Sequence, residues 1–310
     1  MPFAGRLLPL LLLSLTVAAL AGQEGHIIER LVYTCPAWEE AVKQTDVEKY
    51  STEGEYVAAR HSNYALEKIR YRSDGLAVIA YFYRLKKSEG TKLPVIVFNR
   101  GSYIRGDIFP ELLPMFHRLA EAGFAIVAPM YRGSEGGEGR DEMGGADVND
   151  LLNIVPVLSQ LGSLDTRNVF LYGESRGGMM VFQAIRDGFP ARAAATIGAF
   201  TDLGEITSSG TGAATAKAIW PDFEQRKNEI ISRRSAIRWP ERLSIPLLLM
   251  HGSADSDVAP TQTLLLATQL AKTQKEFGVF VFPGGNHTLR QRQVERDRQA
   301  VEFFRRHLVK

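Results

Sequence analysis

Cysteine is almost missing: Cys35 is the single thiol in 310 residues, which excludes an intramolecular disulfide framework and any cysteine-cluster metal site. An excess of charge of one sign is missing too. The chain has 37 basic and 35 acidic side chains; its first 21 residues carry only Arg6, so the remainder has 36 − 35 = +1. A near-neutral body excludes nucleic acid or anionic lipid as the main partner. No internal repeat or low-complexity linker divides the chain. With 45% hydrophobic and 23% charged residues, disordered, collagen-like and coiled-coil readings fall away. One large domain with a sizeable core is expected.

A long apolar run occurs in one place. Residues 1–21 combine Arg6, an apolar stretch from Leu7 to Ala19, and the small residues of Ala19-Leu20-Ala21. That is the order of a secretory signal peptide. The run of about 13 residues is short of the ~20 that span a membrane, which favours cleavage over anchoring. No cysteine follows closely enough for lipid attachment. The expectation is an exported protein, periplasmic or secreted, with no stable membrane span after cleavage. Asn286-His287-Thr288 is the only glycosylation sequon. A glycan there would obstruct His287, a site candidate below, so a bacterial periplasm suits the sequence better than a glycosylating pathway.

Residues 22–62 are amphipathic and predict a helical lead-in, with Ser51 capping a helix towards Arg60. From residue 63 to 310 the pattern is that of one catalytic domain. Ala65–Tyr71 and Ala77–Tyr83, joined by Ser73-Asp74-Gly75, predict a hairpin. Short continuous apolar runs follow at Val95–Phe98, Phe124–Ala128, Val169–Tyr172, Ala193–Ile197, Pro246–Met250 and Val279–Phe282. Such runs suit parallel strands buried on both faces. Helical patterns alternate with them: Glu111–Glu121, Asp147–Leu161 (where Pro156 should kink or shift the helix), Arg176–Arg186, Thr261–Lys272 and Arg290–Leu308. The alternation predicts an α/β fold with a doubly wound, mostly parallel sheet. Residues 199–243 break the rhythm as an insertion, helical around Glu224–Arg234, of the kind that shapes binding pockets.

Gly173-Glu174-Ser175-Arg176-Gly177 follows one of these strands and opens a helix. This is the context of a nucleophile elbow, a sharp turn that lifts a serine hydroxyl to the sheet edge. The helix N-terminus and the Arg176 N–H then face developing negative charge. A hydroxyl needs a base to take its proton. Of the six histidines, His26, His61 and His117 come too early, His307 lies among arginines and His251 ends a strand. His287, in the loop after the last strand, completes the order serine, acid, histidine. The acid is open between Asp255 and Asp257 after the penultimate strand and Asp202 after the one before it.

The chain resembles the catalytic domain of the prolyl oligopeptidase family of serine hydrolases, an α/β-hydrolase group. The resemblance rests on Arg132-Gly133-Ser134 with Gly136, Gly137 and Gly139; on Gly145 with Asp147 and Asp150; on Gly173-x-Ser175-x-Gly177-Gly178; and on His251-Gly252-x-x-Asp255-x-x-Val258 followed by His287. It spans about residues 65–308. It implies Ser175 as nucleophile, His287 as base and Asp255 as the acid. One departure concerns the oxyanion hole. Arg100 stands where several members have a tyrosine, and Tyr103 is displaced, which implies a backbone donor at Gly101 or Ser102 beside that of Arg176. Arg100 either touches substrate or holds the turn. The other departure is the β-propeller of full-length members: about 40 residues lie between the signal peptide and the hairpin, too few to hold one.

Other features are bland. The basic C-terminal helix places Val294, Val301, Phe304 and Leu308 on one face, as a docked helix with a solvated side. The loop from Gly133 to Gly145 lacks a P-loop ending and reads as a wall of the site. Trp220 and Trp239, in the insertion, line a pocket or simply pack. No metal or organic cofactor is implied, and the oligomeric state stays open. The expected function is acyl-enzyme hydrolysis of peptide or amide bonds, with ester hydrolysis as the alternative and a silent binding scaffold as the competing class. Intact-mass analysis should find the exported form starting within a residue or two of Gly22; Met1 retained in a membrane fraction would contradict this.

Overall fold

The computed structural model describes residues 23–102, 106–208 and 210–310; the stretch expected to be a signal peptide and Tyr103 lie outside the described residues. The lead-in opens with a strand, β1 (Ile27–Val32), laid antiparallel on β2 (Tyr64–Ser73). This corrects the all-helical expectation for residues 22–62. The mixed pattern Ile-Ile-Glu-Arg-Leu-Val fits either structure, and pairing with a neighbour decides it. Three short helices follow: α1 (Trp38–Gln44), α2 (Val47–Tyr50) and α3 (Glu53–His61). Thr52, not Ser51, caps α3. Its hydroxyl accepts from Glu55 N, and the Glu55 carboxylate accepts from Thr52 N, a capping box that Ser51 cannot make with Gly54 three residues on.

β2 returns through Asp74-Gly75 into β3 (Leu76–Leu85), and both turn residues have positive φ, as a two-residue hairpin turn requires. Then come β4 (Leu93–Asn99), α4 (Phe109–Glu121), β5 (Ala125–Pro129), α5 (Val148–Leu152) and α6 (Ile154–Gln160). The helical stretch predicted around Pro156 is split at Asn153. Pro156 sits in the first turn of α6, where its absent N–H leaves no helical bond unmade. β6 (Leu164–Glu174), α7 (Arg176–Arg186) and β7 (Ala193–Ile197) follow. The insertion carries α8 (Leu203–Ile206), α9 (Gly210–Ile219) and α10 (Phe223–Arg234). The chain then runs through β8 (Leu247–Gly252), α11 (Thr261–Lys272), β9 (Phe277–Phe282) and α12 (Gln293–Arg306).

The nine-stranded sheet has the order β1-β2-β3-β5-β4-β6-β7-β8-β9. From β5 to β9 every pairing is parallel. Residues of β5, β7 and β8 are buried throughout, because one face packs on α4 and α12 and the other on α5, α7 and α11. From β4 the chain goes to β5 on one side, then crosses to β6 on the other. Open α/β sheets bind ligands at such a reversal, beyond the carboxyl ends of the strands. Here those ends are Asn99 and Glu174.

The docking face of α12 differs from the expected stripe. Val294 and Leu308 are exposed, whereas Ala300, Val301, Phe303 and Phe304 are buried together with Arg296 and Asp297. Arg118 Nε donates to Asp297 at 2.7 Å, and Arg296 Nη1 donates to the Thr288 carbonyl at 3.0 Å. Buried charges with partners had passed as a solvated side. In denaturant titrations Thr52→Ala should lose about 1 kcal/mol, while Ser51→Ala, which removes a hydroxyl that makes no bond, should lose less; the reverse ranking would contradict the cap assignment.

Candidate active site

Ser175 occupies the turn between β6 and α7 with φ 56° and ψ −122°. A non-glycine residue in this region is strained and persists only where its surroundings hold it. Two contacts do so. Ser175 N donates to the Ile197 carbonyl at the end of β7 at 2.7 Å, and the first turn of α7 presses on the end of β4. A Cβ on Gly177 would stand 1.9 Å from the Asn99 carbonyl oxygen, so only glycine fits. Gly101 meets Ser175 from the β4 side, where an added Cβ would lie 3.2 Å from the Ser175 Cβ.

The candidate acid Asp255 and His287 come from the loops after β8 and β9. His287 Nδ1 donates to Asp255 Oδ2 at 2.7 Å. The same oxygen faces His251 Nε2 at 3.0 Å, and Oδ1 accepts the N–H groups of Asp257 and Val258, each at 2.9 Å. His251 Nε2 also faces the Val258 carbonyl while Nδ1 meets the Thr263 hydroxyl. Two acceptors at Nε2 place the proton there. Burial raises the cost of a charge on Asp255, but these donors outweigh it and hold its pKa below the usual carboxylate range. For His287, burial disfavours the cation, yet the Asp255 bond and charge win and its pKa is raised above 6.5. Gly198, just after Ile197, touches this pair: a Cβ there would be 3.1 Å from the His287 ring and 3.2 Å from Asp255 Oδ2. The strand end that binds Ser175 N thus also abuts the His287–Asp255 pair.

The alternatives for the acid are placed elsewhere. Asp257 is exposed and gives only its N–H to Asp255. Asp202 caps α8, accepting from Gly204 N and Ser235 Oγ. The sequence reads His251 as a structural, loop-orienting residue, and its contacts with the Val258 carbonyl, Thr263 and Asp255 give it that place. Sequence reasoning passed over Glu174, which is buried against a small cavity with Thr288 and Arg296. Burial pushes the Glu174 carboxyl up, against the pull of Arg296 and His287.

Among the pocket candidates, Arg100 holds the turn. It is 1% exposed and donates to the Gly101 and Met130 carbonyls and to Ser134 Oγ at 3.0, 2.9 and 2.8 Å. Trp239 packs structurally, its indole N–H on the Ser232 carbonyl and Arg186 over its ring. Trp220 donates to the Glu142 carbonyl under Arg234. It lines a cavity of about 590 Å³ with Arg140 and Asn149, but Ser175, Asp255 and His287 do not line it. Both placements have one cause: an indole with an arginine over its ring satisfies its N–H and its ring face locally.

The profile of the prolyl oligopeptidase family matches residues 114–310, well over half of the chain. The chain belongs to this family. It is a family of serine peptidases with the α/β-hydrolase fold, and that fold is the one found here. Among its relatives, the uncharacterized peptidase YtmA of Bacillus subtilis is 26% identical over 55% of this chain and 67% of its own length. The acylamino-acid-releasing enzyme of Mus musculus is 26% identical over 67% of this chain, which spans only 30% of that longer protein. In fold, the chain matches the acylaminoacyl peptidase of Pyrococcus horikoshii with a TM-score of 0.69 and 24% identity, over 84% of this chain and 44% of the other.

The raised His287 pKa sets a pH window with two opposite slopes. Stability drawn from the His287–Asp255 pair is complete below the unfolded imidazole value of about 6.5 and is lost as pH rises through the folded value. Proton abstraction requires the neutral ring, so kcat/KM should fall on acidification with a midpoint above about 6.5. A pH–rate profile that stays flat to about pH 5 would exclude His287 as the base.

Proposed function

We propose that this protein is an exported serine peptidase acting through an acyl-enzyme, with Ser175 as nucleophile, His287 as base and Asp255 as the acid that orients it. The observation that carries this reading is the saturated Asp255 carboxylate bonded to His287 Nδ1 around the same strand end that holds the strained Ser175. With Nδ1 committed to Asp255, Nε2 is the nitrogen left to accept the Ser175 proton. The Ser175 oxygen attacks the scissile carbonyl carbon while His287 takes the proton. The resulting oxyanion is met by the N–H of Arg176, at the start of α7, and by a backbone donor of the Gly101–Ser102 turn. Collapse expels the amine, which leaves with the proton from His287. Water then repeats the sequence on the acyl-enzyme. Peptides are the proposed substrates because relatives of this chain are named as peptidases. Export rests on the N-terminal apolar run alone.

A fluorophosphonate probe should label the protein at Ser175, and Ser175→Ala should abolish labelling; a folded parent that never labels would support a silent scaffold. Asp255→Asn should lower kcat on a peptide amide by about 10³- to 10⁴-fold, while Asp257→Asn should lower it no more than about tenfold. A crippled Asp257→Asn with an intact Asp255→Asn would reverse the assignment. If short-chain esters turn over and peptides do not, the substrate class is wrong while the mechanism stands.

A further inference from the structure

Behind the elbow lies a buried cluster that the triad does not use. The Arg176 guanidinium, 1% exposed, binds Asp141 through both terminal nitrogens at 2.6 Å and Asp147 at 2.7 Å. Arg100 lies alongside, 3.9 Å from Asp141. The rings and charges form one stack, since both guanidinium groups lie over the face of Tyr131, at 4.6 and 5.1 Å from its centroid. Two cations meet two buried anions, so the cluster is balanced. Burial and the nearness of Arg176 lower the Arg100 pKa to about 10, which leaves it charged at neutral pH. The outward contacts are telling. Arg176 Nη1 donates to the Ser102 carbonyl at 3.0 Å, and Arg100 Nη1 donates to the Gly101 carbonyl at 3.0 Å and to that of Ser102 at 3.4 Å. Ser102 itself has φ 63°, a conformation that needs such restraint.

We propose that Arg100 and Arg176 are positioning residues that orient and polarise the Gly101–Ser102 turn as the second oxyanion donor, replacing with two side chains the tyrosine expected there. This rests on the serine-hydrolase reading above. In a trans peptide the C=O and N–H point in opposite directions. Pinning the Gly101 carbonyl on the buried arginine therefore turns the Ser102 N–H away from the cluster. Hydrogen-bond chains also strengthen along their length, so a carbonyl held by a cation makes its own peptide N–H a better donor. Because the same Arg176 provides the other oxyanion N–H from its backbone, one residue sets both donors.

The test compares the parent with Arg100→Lys, Arg176→Lys and Ser134→Ala, the last loosening Arg100 without touching the charges. Three quantities are read: kcat and KM on a peptide amide, affinity for a peptidyl boronic acid that becomes tetrahedral on Ser175, and affinity for the acid product. The lysine variants should lose about 10- to 100-fold in kcat, less than or near the effect of deleting an oxyanion donor, with KM within about twofold. Boronate affinity should fall in step while product affinity holds. Ser134→Ala should show the same split at about three- to tenfold, and it decides the matter if the lysine variants fail to fold. Folded variants with parent kcat and boronate affinity would overturn the proposal, as would equal losses of boronate and product affinity. A parent that fails to label with fluorophosphonate ends both readings, whereas a labelling parent with unaffected variants ends only this one.

Discussion

The close approach of α7 to the end of β4 is the constraint on which the site depends. With Gly177 seated against the Asn99 carbonyl, the helix N-terminus, the strained serine and the Gly101 turn share one small volume. Any side chain at 177 would drive the elbow off β4 and part Ser175 from the turn beside it. The reversal of strand order between β4 and β6 opens the crevice, and this contact determines what stands at its floor.

Electrostatics around that floor share a pattern: the buried charges of Asp255, Asp147 and Arg132 are each given several partners. Asp255 receives donors on both oxygens, Asp147 takes Arg176 and the N–H groups of Gly144 and Gly145, and Arg132 is tied to Asp150 and Asp74. Pairs of this sort add little net stability compared with apolar residues of the same shape. Their effect is geometric, because breaking one leaves an uncompensated charge inside. Loops around an active site can thus be long and irregular yet rigid.

Much of this was legible in the sequence, and the reasons differ by element. Thr261–Lys272 is helical from end to end as read, since its period and its flanking residues agree. The buried strands announced themselves as unbroken apolar runs. β1 did not, because an edge strand with one neighbour and mostly exposed residues carries no period of its own. The facing of α12 was misread for a related reason: Arg296 is buried against Thr288 in the preceding loop and Asp297 against the distant Arg118, which composition cannot reveal. Motif context and chain order brought Ser175 and His287 into view, and the family resemblance singled out Asp255 among three acids. The side-chain role of Arg176 lay beyond spacing, since its partner Asp141 is 35 positions away with nothing local to mark the pair.

The brace behind His287 also divides the site into two halves with different supports. Arg296 on α12 holds the carbonyl of Thr288, the residue next to the histidine. The elbow and the arginine cluster are held instead by contacts with segments that precede β8. A disturbance of α12 therefore reaches the histidine loop first and leaves the turn that carries Ser175 standing.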